Sequence, residues 1–291
     1  MAFETTGRYH NFSAIFIIQC LESRDTNRTG VHLYERIKPL CDKEAVYLRF
    51  FDVDSAQSII DTLREIARDC EANERAPIVH LETHATATGF GPTDGDQLPW
   101  GALIEPLTEL NRISQMNLLL TVAACHGFHV VSTLRPGVAS PVWGLLGPDE
   151  QVMPSDIARG FQAFYAALLT ELSVNRAIEA LKENDHSWPE CWKFQNAELW
   201  FAGVFGEVLR QHLELGERGR LETVAIAEWS RHGVNIDPQR FRAGRVAGRD
   251  WQGAYDATRS KFLMLDSYPE NADRFPLTVQ EIAAIKGLDL V

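Results

Sequence analysis

Two residue types that can carry out covalent catalysis, a cysteine and a histidine, each end an apolar run in this sequence. Cys125 ends the run NLLLTVAAC, and His84 ends the run IVHLETH. A thiol has a reference pKa of about 8.5, so a neighbouring imidazole is needed to accept its proton and later to protonate a leaving amine. If the two runs are neighbouring parallel strands, their carboxyl ends bring both side chains to one cleft. The pair therefore predicts acyl transfer through a cysteine nucleophile.

The segments around this pair alternate between strand-like and helix-like patterns. Apolar runs of strand length occupy residues 14–21, 45–53, 77–83 and 117–124. Such nearly continuous apolar strands are typical of a parallel sheet that is covered on both faces. The sequence therefore predicts an α/β three-layer fold, with a mostly parallel central sheet and helices on both faces.

Further elements are expected between and after these strands. Helices are expected at 29–41, 56–70, 99–114, 156–171 and 173–184, and more strands at 141–146 and 197–209. The periodicity weakens after about residue 215, and seven arginines fall between Arg218 and Arg249. We therefore divide the chain into a domain of residues 1–212 and a C-terminal extension of residues 213–291 that packs on it.

Composition excludes several classes of function. The chain has 40 acidic against 28 basic residues and a net charge of −12, which argues against binding to the phosphates of a nucleic acid. No apolar run approaches the roughly 20 residues that span a bilayer, and the N-terminus lacks a signal-peptide pattern. We therefore expect a cytoplasmic protein without a membrane partner. The five cysteines contain no C-x-x-C pair and predict neither a disulfide framework nor a zinc site.

A metal site is the alternative interpretation of the segment HLETH, because His80 and His84 lie four residues apart with an acid between them. On a helix both imidazoles would share one face and could bind a zinc ion. On a strand they would be roughly 13 Å apart, which is too far for one ion. The preceding Ala-Pro-Ile-Val favours the strand, so His80 is predicted to be buried and hydrogen-bonded. We expect no metal ion and no cofactor.

The two segments together resemble the caspase-like cysteine peptidases, which include caspases, metacaspases, separase and bacterial CHAT domains. The pattern of that family is a strand ending in Ser/Thr-His-Gly, a turn-rich loop, a helix and an apolar strand ending in Ala/Asp-Cys-x-Gly. Thr83-His84 and Ala124-Cys125-His126-Gly127 match it, in the same order and 41 residues apart from His84 to Cys125. The resemblance covers about residues 13–210 and is strongest to the bacterial CHAT or caspase-like proteases.

The resemblance implies roles for individual residues. Cys125 would be the nucleophile and His84 its partner, and the oxyanion would be held by the backbone N–H groups of Cys125 and Ala85, where the family commonly has glycine. Metacaspases that cut after basic residues carry an acid two positions before the nucleophile. This chain has Ala123 there, so that position supports no basic preference. The candidates for a substrate pocket are Arg24, Asp25 and Asp156.

The function implied by the resemblance is that of a cysteine endopeptidase acting on proteins or peptides. Its bacterial relatives are often effectors in antiviral defence or cell death, and a partner protein or cleavage often activates them. Two alternatives stay open. One is a catalytically inactive caspase-like scaffold that binds partners. The other is a non-peptidase cysteine hydrolase or amidase, although a class I glutaminase would have a Gly-x-Cys-x-Gly elbow with its histidine downstream.

Overall fold

The computed structural model describes residues 12–25, 27–93, 95–135, 137–215 and 251–288. Contacts divide the chain into two compact units, of which the first comprises Met1–Arg135 and Ala139–Ala197 and the second Pro136–Val138 and Glu198–Val291. The domain boundary at residue 212 stays a prediction. The arginine-rich segment 218–249 lies outside the described residues, and the packing of the extension stays a prediction.

The first unit alternates strands with helices. Its strands are β1 (Ala14–Cys20), β2 (Tyr47–Val53), β3 (Pro77–Ala85), β4 (Gly89–Thr93), β5 (Asp96–Pro99), β6 (Leu119–Ala123), β7 (Gly144–Pro148) and β8 (Trp192–Asn196). Its helices are α1 (Thr29–Lys43), α2 (Ala56–Asn73), α3 (Ile104–Ile113), α4 (Pro154–Glu171) and α5 (Val174–Glu183), and 3-10 turns span Trp100–Leu103, Gly127–Thr133 and Pro189–Cys191. The strands and helices predicted between residues 14 and 184 are confirmed, while β4, β5 and β8 were not foreseen.

Local signals in the sequence explain where several helices begin. The hydroxyl of Ser55 accepts a hydrogen bond from Ser58 N at 3.2 Å and so caps α2. Ser173 caps α5 in the same way, by accepting from Arg176 N at 3.3 Å. Pro154 is the first residue of α4, where its missing N–H interrupts no helical hydrogen bond.

The central sheet has the strand order β2-β1-β3-β6-β7-β8. Neighbouring strands are parallel except β7 and β8, which are antiparallel. The hairpin of β4 and β5 pairs with the end of β3. The strands β1, β6 and β7 are buried along their whole length, whereas β2, at the edge, is mostly half-buried. The predicted mostly parallel sheet is confirmed.

Helices cover both faces of this sheet. Phe16 and Ile18 of β1 pack into the core that β1 shares with α2 and α3. Gln19, the next residue along, points to the opposite face and accepts a hydrogen bond from Val31 N of α1 at 3.3 Å. On that face α1 packs against α4. Successive side chains of one strand thus reach two different helical layers, which confirms the three-layer prediction.

The described part of the second unit is helical. Its helices are α6 (Ala197–Leu215), α7 (Trp251–Phe262), α8 (Asn271–Arg274) and α9 (Val279–Lys286). Aromatic side chains of α6 and α7 stack, with the rings of Trp200 and Phe262 at 4.9 Å. The strand predicted at 197–209 is wrong, because α6 occupies this segment, and its apolar residues are too closely spaced to show helical periodicity. No described helix is long and apolar enough to cross a membrane.

Candidate active site

The ends of β3 and β6 bring the predicted histidine and cysteine together. These parallel strands pair with Glu82 opposite Ala123, so His84 and Cys125 each lie two residues beyond that pair. Neighbouring strands are about 4.8 Å apart, and residues two apart share a face. The hydroxyl of Thr121, on the same face of β6, hydrogen-bonds a tyrosine of α4 at 3.0 Å. The register therefore places both residues at the carboxyl edge of the sheet, His84 near the end of β3 and Cys125 in the turn that follows β6.

A tight turn presents Cys125 at the end of β6. Gly127 N donates to Ala124 O at 3.0 Å, and His126 has left-handed backbone angles of φ 58° and ψ 20°. This conformation costs a non-glycine residue roughly 1 kcal/mol. A Cβ on Gly127 would lie 2.6 Å from a side-chain carbon of Val122. The turn therefore requires glycine at this position of the matched motif, since a larger residue would clash with Val122.

The segment that follows β7 packs against this turn. Glu150 O accepts a hydrogen bond from His126 N at 2.9 Å, and Asp149 O accepts one from His126 Nδ1 at 3.2 Å. The thiol of Cys125 donates to Val152 O, with Sγ and the oxygen 3.8 Å apart. These contacts could not be predicted from the sequence, because backbone carbonyls accept them and leave no mark on residue type.

Cys125 differs from the other four cysteines in exposure. It is half-buried, whereas Cys20, Cys41, Cys70 and Cys191 are buried, and all five are free thiols. Burial raises the pKa of the Cys41 thiol to about 11 and the pKa of each of the other three buried thiols to about 12. A buried, protonated thiol is a poor nucleophile. Cys125 is therefore the thiol that is placed to react.

His84 is held by a carboxylate from the segment after β1. Its Nε2 lies 3.0 Å from Asp25 Oδ2, and because a carboxylate can only accept, Nε2 carries the proton. The same oxygen accepts from Glu22 N at 2.9 Å. The side chain of His84 is 55% exposed and that of Asp25 27%. This contact leaves the other ring nitrogen, Nδ1, to exchange a proton with a reacting group.

The pairing of β3 with β4 sets the direction of the Ala85 amide. Thr86 N donates to Gly89 O at 2.9 Å, and His84 is paired with Gly91. Hydrogen-bonded and non-hydrogen-bonded pairs alternate along an antiparallel ladder, so the N–H of Ala85 points away from β4. Ala85 also has the extended backbone of a strand, which alanine adopts without strain.

The three candidates for a substrate pocket occupy different environments. Arg24 has an 82% exposed side chain and donates to Glu22 at 3.0 Å. Asp156 is buried in the first turn of α4 and forms an ion pair with Arg159. Asp25 binds His84, as described above. The structure thus brings Asp25 to the His84 imidazole, and the pocket roles of all three residues stay predictions.

A cavity of about 460 Å³ opens beside the segment after β1. The acidic residues Glu22, Asp52, Asp54 and Asp96 contribute to its lining. Arg28 also lines it and pairs with Asp52 at 2.5 Å. Because four carboxyl groups face one cation there, the cavity is acidic.

His80 lies inside the sheet and not in the cleft. Its Nδ1 is 2.9 Å from the hydroxyl of Thr121, and burial lowers its pKa to about 3, so the imidazole is neutral. The strand interpretation of HLETH and the buried, hydrogen-bonded state of His80 are thus confirmed. Across the described residues, no group of three or more His, Cys, Asp or Glu side chains is arranged to hold a metal ion.

Glu82 is the residue near the site that the sequence analysis passed over. It lies two residues before His84 on the same face of β3, and only 3% of it is exposed. Burial raises the pKa of its carboxyl to about 7. The available signal was an acid inside an apolar strand, which the sequence analysis considered only as part of a metal motif.

Comparison with known proteins finds similarity at the level of structure and not of sequence. No protein-family model matches the chain, and no curated protein matches it. A secreted C11 cysteine protease from Bacteroides thetaiotaomicron, named iotapain, has a similar structure, with a TM-score of 0.46 and 9% sequence identity. The match covers 69% of this chain and 71% of that protease.

Proposed function

We propose that this chain is a cysteine endopeptidase in which Cys125 is the nucleophile and His84 the acid–base partner. One observation carries the proposal. A half-buried thiol and an exposed imidazole each lie two residues beyond the last pair of two neighbouring parallel strands, at their carboxyl ends, and a carboxylate holds the imidazole. Ligands of open parallel sheets bind at this edge.

The protonation state proposed for His84 is compatible with acyl transfer. With Nε2–H donating to Asp25, the free Nδ1 of His84 accepts the proton of the Cys125 thiol, and the thiolate attacks the carbonyl carbon of the substrate. The resulting imidazolium gives its proton to the leaving amine as the C–N bond breaks, which leaves a thioester on Cys125. Water then attacks the thioester with His84 as the base, and the acid product and the thiol are regenerated.

Two backbone amides are the proposed oxyanion donors. The N–H of Ala85 points away from β4, and the N–H of Cys125 belongs to the reacting residue itself. Donors that are fixed before the reaction stabilise the charge of the tetrahedral intermediate without reorganising. The alanine at this position is compatible with the role, because only the amide takes part and the strand backbone suits alanine.

The resemblance to caspase-like peptidases adds proposals about biology. It suggests a protein or peptide substrate, an activating partner or cleavage, and a role as an effector in bacterial defence or cell death. These proposals rest on the sequence motifs Thr83-His84 and Ala124-Cys125-His126-Gly127 alone. Assays therefore need to include limited proteolysis and candidate activating proteins.

A labelling and turnover experiment tests the proposal. The wild type, Cys125→Ala and His84→Ala are incubated with a peptide library, with and without activation, and a thiol-directed peptidyl probe is mapped by mass spectrometry. We expect the probe on Cys125, and turnover at least about 10³-fold lower in Cys125→Ala and about 10²-fold lower in His84→Ala. His32→Ala, which removes an exposed histidine of α1, is the matched control and keeps full turnover.

The same experiment separates the alternatives. Equal behaviour of the wild type and Cys125→Ala under every condition would favour a non-catalytic scaffold and end the peptidase proposal. Turnover of small amides such as glutamine, without cleavage of any peptide, would favour an amidase that uses the same thiol. Labelling at Cys41 or Cys70 instead of Cys125 would contradict the proposed cleft.

A further inference from the structure

The N-terminus of α1 takes its cap from the sheet and not from its own sequence. The N-cap residue Arg28 makes no side-chain cap, and the first turn of the helix contains no acid. Instead, Glu82 Oε1 of β3 accepts from both Thr29 N at 3.0 Å and Thr29 Oγ1 at 2.5 Å. Gln19 Oε1 of β1 accepts from Val31 N at 3.3 Å. Two polar side chains of the sheet therefore hold the start of this helix.

Glu82 is tightly enclosed by this contact. Its second oxygen, Oε2, is buried without a hydrogen-bond partner among the described residues. A Cβ on Gly30 would lie 2.6 Å from that oxygen, so the glycine lets the helix backbone approach the carboxyl group. A buried polar atom without a partner costs stability, and an apolar residue would avoid that cost. The stabilising contacts of Oε1 with Thr29 are thus offset in part by the unpartnered Oε2, and the acid at this position calls for a reason in addition to stability.

The position of Glu82 supplies such a reason. It lies two residues before His84 on the same face of β3 and opposite Ala123, which is two residues before Cys125. Thr29, which it holds, follows Asp25 by four residues, and Asp25 is the partner of His84. The contact of Glu82 with Thr29 thus fixes the end of the segment that carries the His84 partner.

We propose that Glu82 is a positioning residue for the Cys125–His84 pair, because it ties the first residue of α1 to the sheet beneath the pair and so keeps Asp25 against His84. This inference rests on the proposed function, since it assigns a residue to the same site. Glu82 touches no reacting atom, and it acts through Thr29 and Asp25.

The same geometry makes the contact dependent on pH. The charged groups that face Glu82 are Arg28, just before α1, and Asp52 of β2, and they pair with each other. Burial raises the pKa of Glu82 to about 7, so the enclosed state favours the protonated carboxyl. Release of the helix start would return the group to water and to its ordinary pKa of about 4.3. The contact is therefore strongest below about pH 4.3 and weakens as the pH rises from there to about 7.

Hydrogen exchange of residues 21–29 measures this contact without any substrate. In the wild type, after correction for intrinsic rates, local opening is expected to increase by about 75-fold from pH 5 to pH 8. In Glu82→Gln, which keeps an acceptor but cannot ionise, the increase stays below about threefold. Glu71→Gln makes the same chemical change at an exposed position of α2 and behaves like the wild type. Equal slopes in the wild type and Glu82→Gln would overturn the inference.

Turnover of the peptide identified above tests the positioning role itself. We expect Glu82→Ala to lower kcat by about tenfold with little change in KM, and Glu82→Gln to restore it, since a carboxamide oxygen still accepts from Thr29. If the wild type turns over and kcat of a folded Glu82→Ala is unchanged, the positioning role is wrong. If instead Cys125→Ala equals the wild type, the proposed function fails, while hydrogen exchange still decides whether Glu82 holds α1.

Discussion

At the scale of single residues, the environment of a side chain and not its residue type decides which cysteine and which histidine are placed to react. Five cysteines share one thiol chemistry, yet burial raises the pKa of four of them to about 11 or 12, and only Cys125 is half-buried. The same holds for His80 and His84, which lie four residues apart on β3. His80 is enclosed and neutral, whereas His84 is exposed and bound to a carboxylate.

The contact of His84 with Asp25 gives a prediction at this scale. Asp25→Asn keeps the size of the side chain but lets its amide donate to Nε2, which would shift the ring proton to Nδ1 and remove the proposed base. We expect kcat/KM to fall about tenfold to a hundredfold, less than for a fully buried triad, because the contact is partly exposed. Steady-state kinetics against Asp42→Asn, an exposed carboxylate of α1, provide the matched comparison. Unchanged kinetics in Asp25→Asn would show that this carboxylate does not orient the imidazole.

At the scale of elements, the end of β6 combines two demands on the backbone. The chain must turn sharply after Cys125, and the turn must fit closely against the strand that it leaves. His126 meets the first demand through its left-handed conformation, and Gly127 meets the second through the absence of a Cβ. The carbonyls of Asp149 and Glu150 then hold the turn from the side of β7.

A substitution at Gly127 tests this description. The added Cβ of Gly127→Ala would lie 2.6 Å from a carbon of Val122 and 3.0 Å from Val122 O, so the turn has to shift. We expect the free energy of unfolding to fall by about 1 to 3 kcal/mol, the usual size for overpacking. Gly101→Ala is the control, since no atom lies within 4 Å of its added Cβ. Chemical denaturation that shows equal stability for both variants would contradict the close fit at Gly127.

Most of the elements that build the first unit could be predicted from the sequence, because its parallel strands are continuous apolar runs. The strand β8, Trp192–Asn196, could not, since its WKFQN segment is short and half polar. The helix α6 was mistaken for a strand because its apolar residues cluster too closely to show a period of 3.6. In the candidate site, Cys125 and His84 were singled out from their places at strand ends. The contact of Asp25 with His84 and that of Glu82 with Thr29 join distant segments, and no local pattern encodes them.

At the scale of the whole molecule, the negative charge of the protein would favour basic peptides as substrates of the proposed peptidase. The net charge is −12, and the lining of the cavity beside the segment after β1 includes Glu22, Asp52, Asp54 and Asp96. A negatively charged cleft in a negatively charged protein attracts cations and repels anions. Salt screens this attraction beyond the Debye length, which is about 10 Å at 0.1 M. This long-range effect is independent of the uncharged Ala123, which gives no specific contact for a basic side chain.

The resulting prediction concerns salt. Among otherwise identical peptide substrates, those flanked by lysines are expected to have a kcat/KM about tenfold higher than those flanked by glutamates at low ionic strength. At 0.5 M NaCl the ratio should fall to about twofold, because screening removes the steering but leaves short contacts. The double variant Asp54→Asn, Asp96→Asn should lower the ratio at low salt, whereas Asp42→Asn, an exposed carboxylate of α1, should leave it unchanged. A ratio that is the same at both salt concentrations would mean that direct contacts and not the overall field select the substrate.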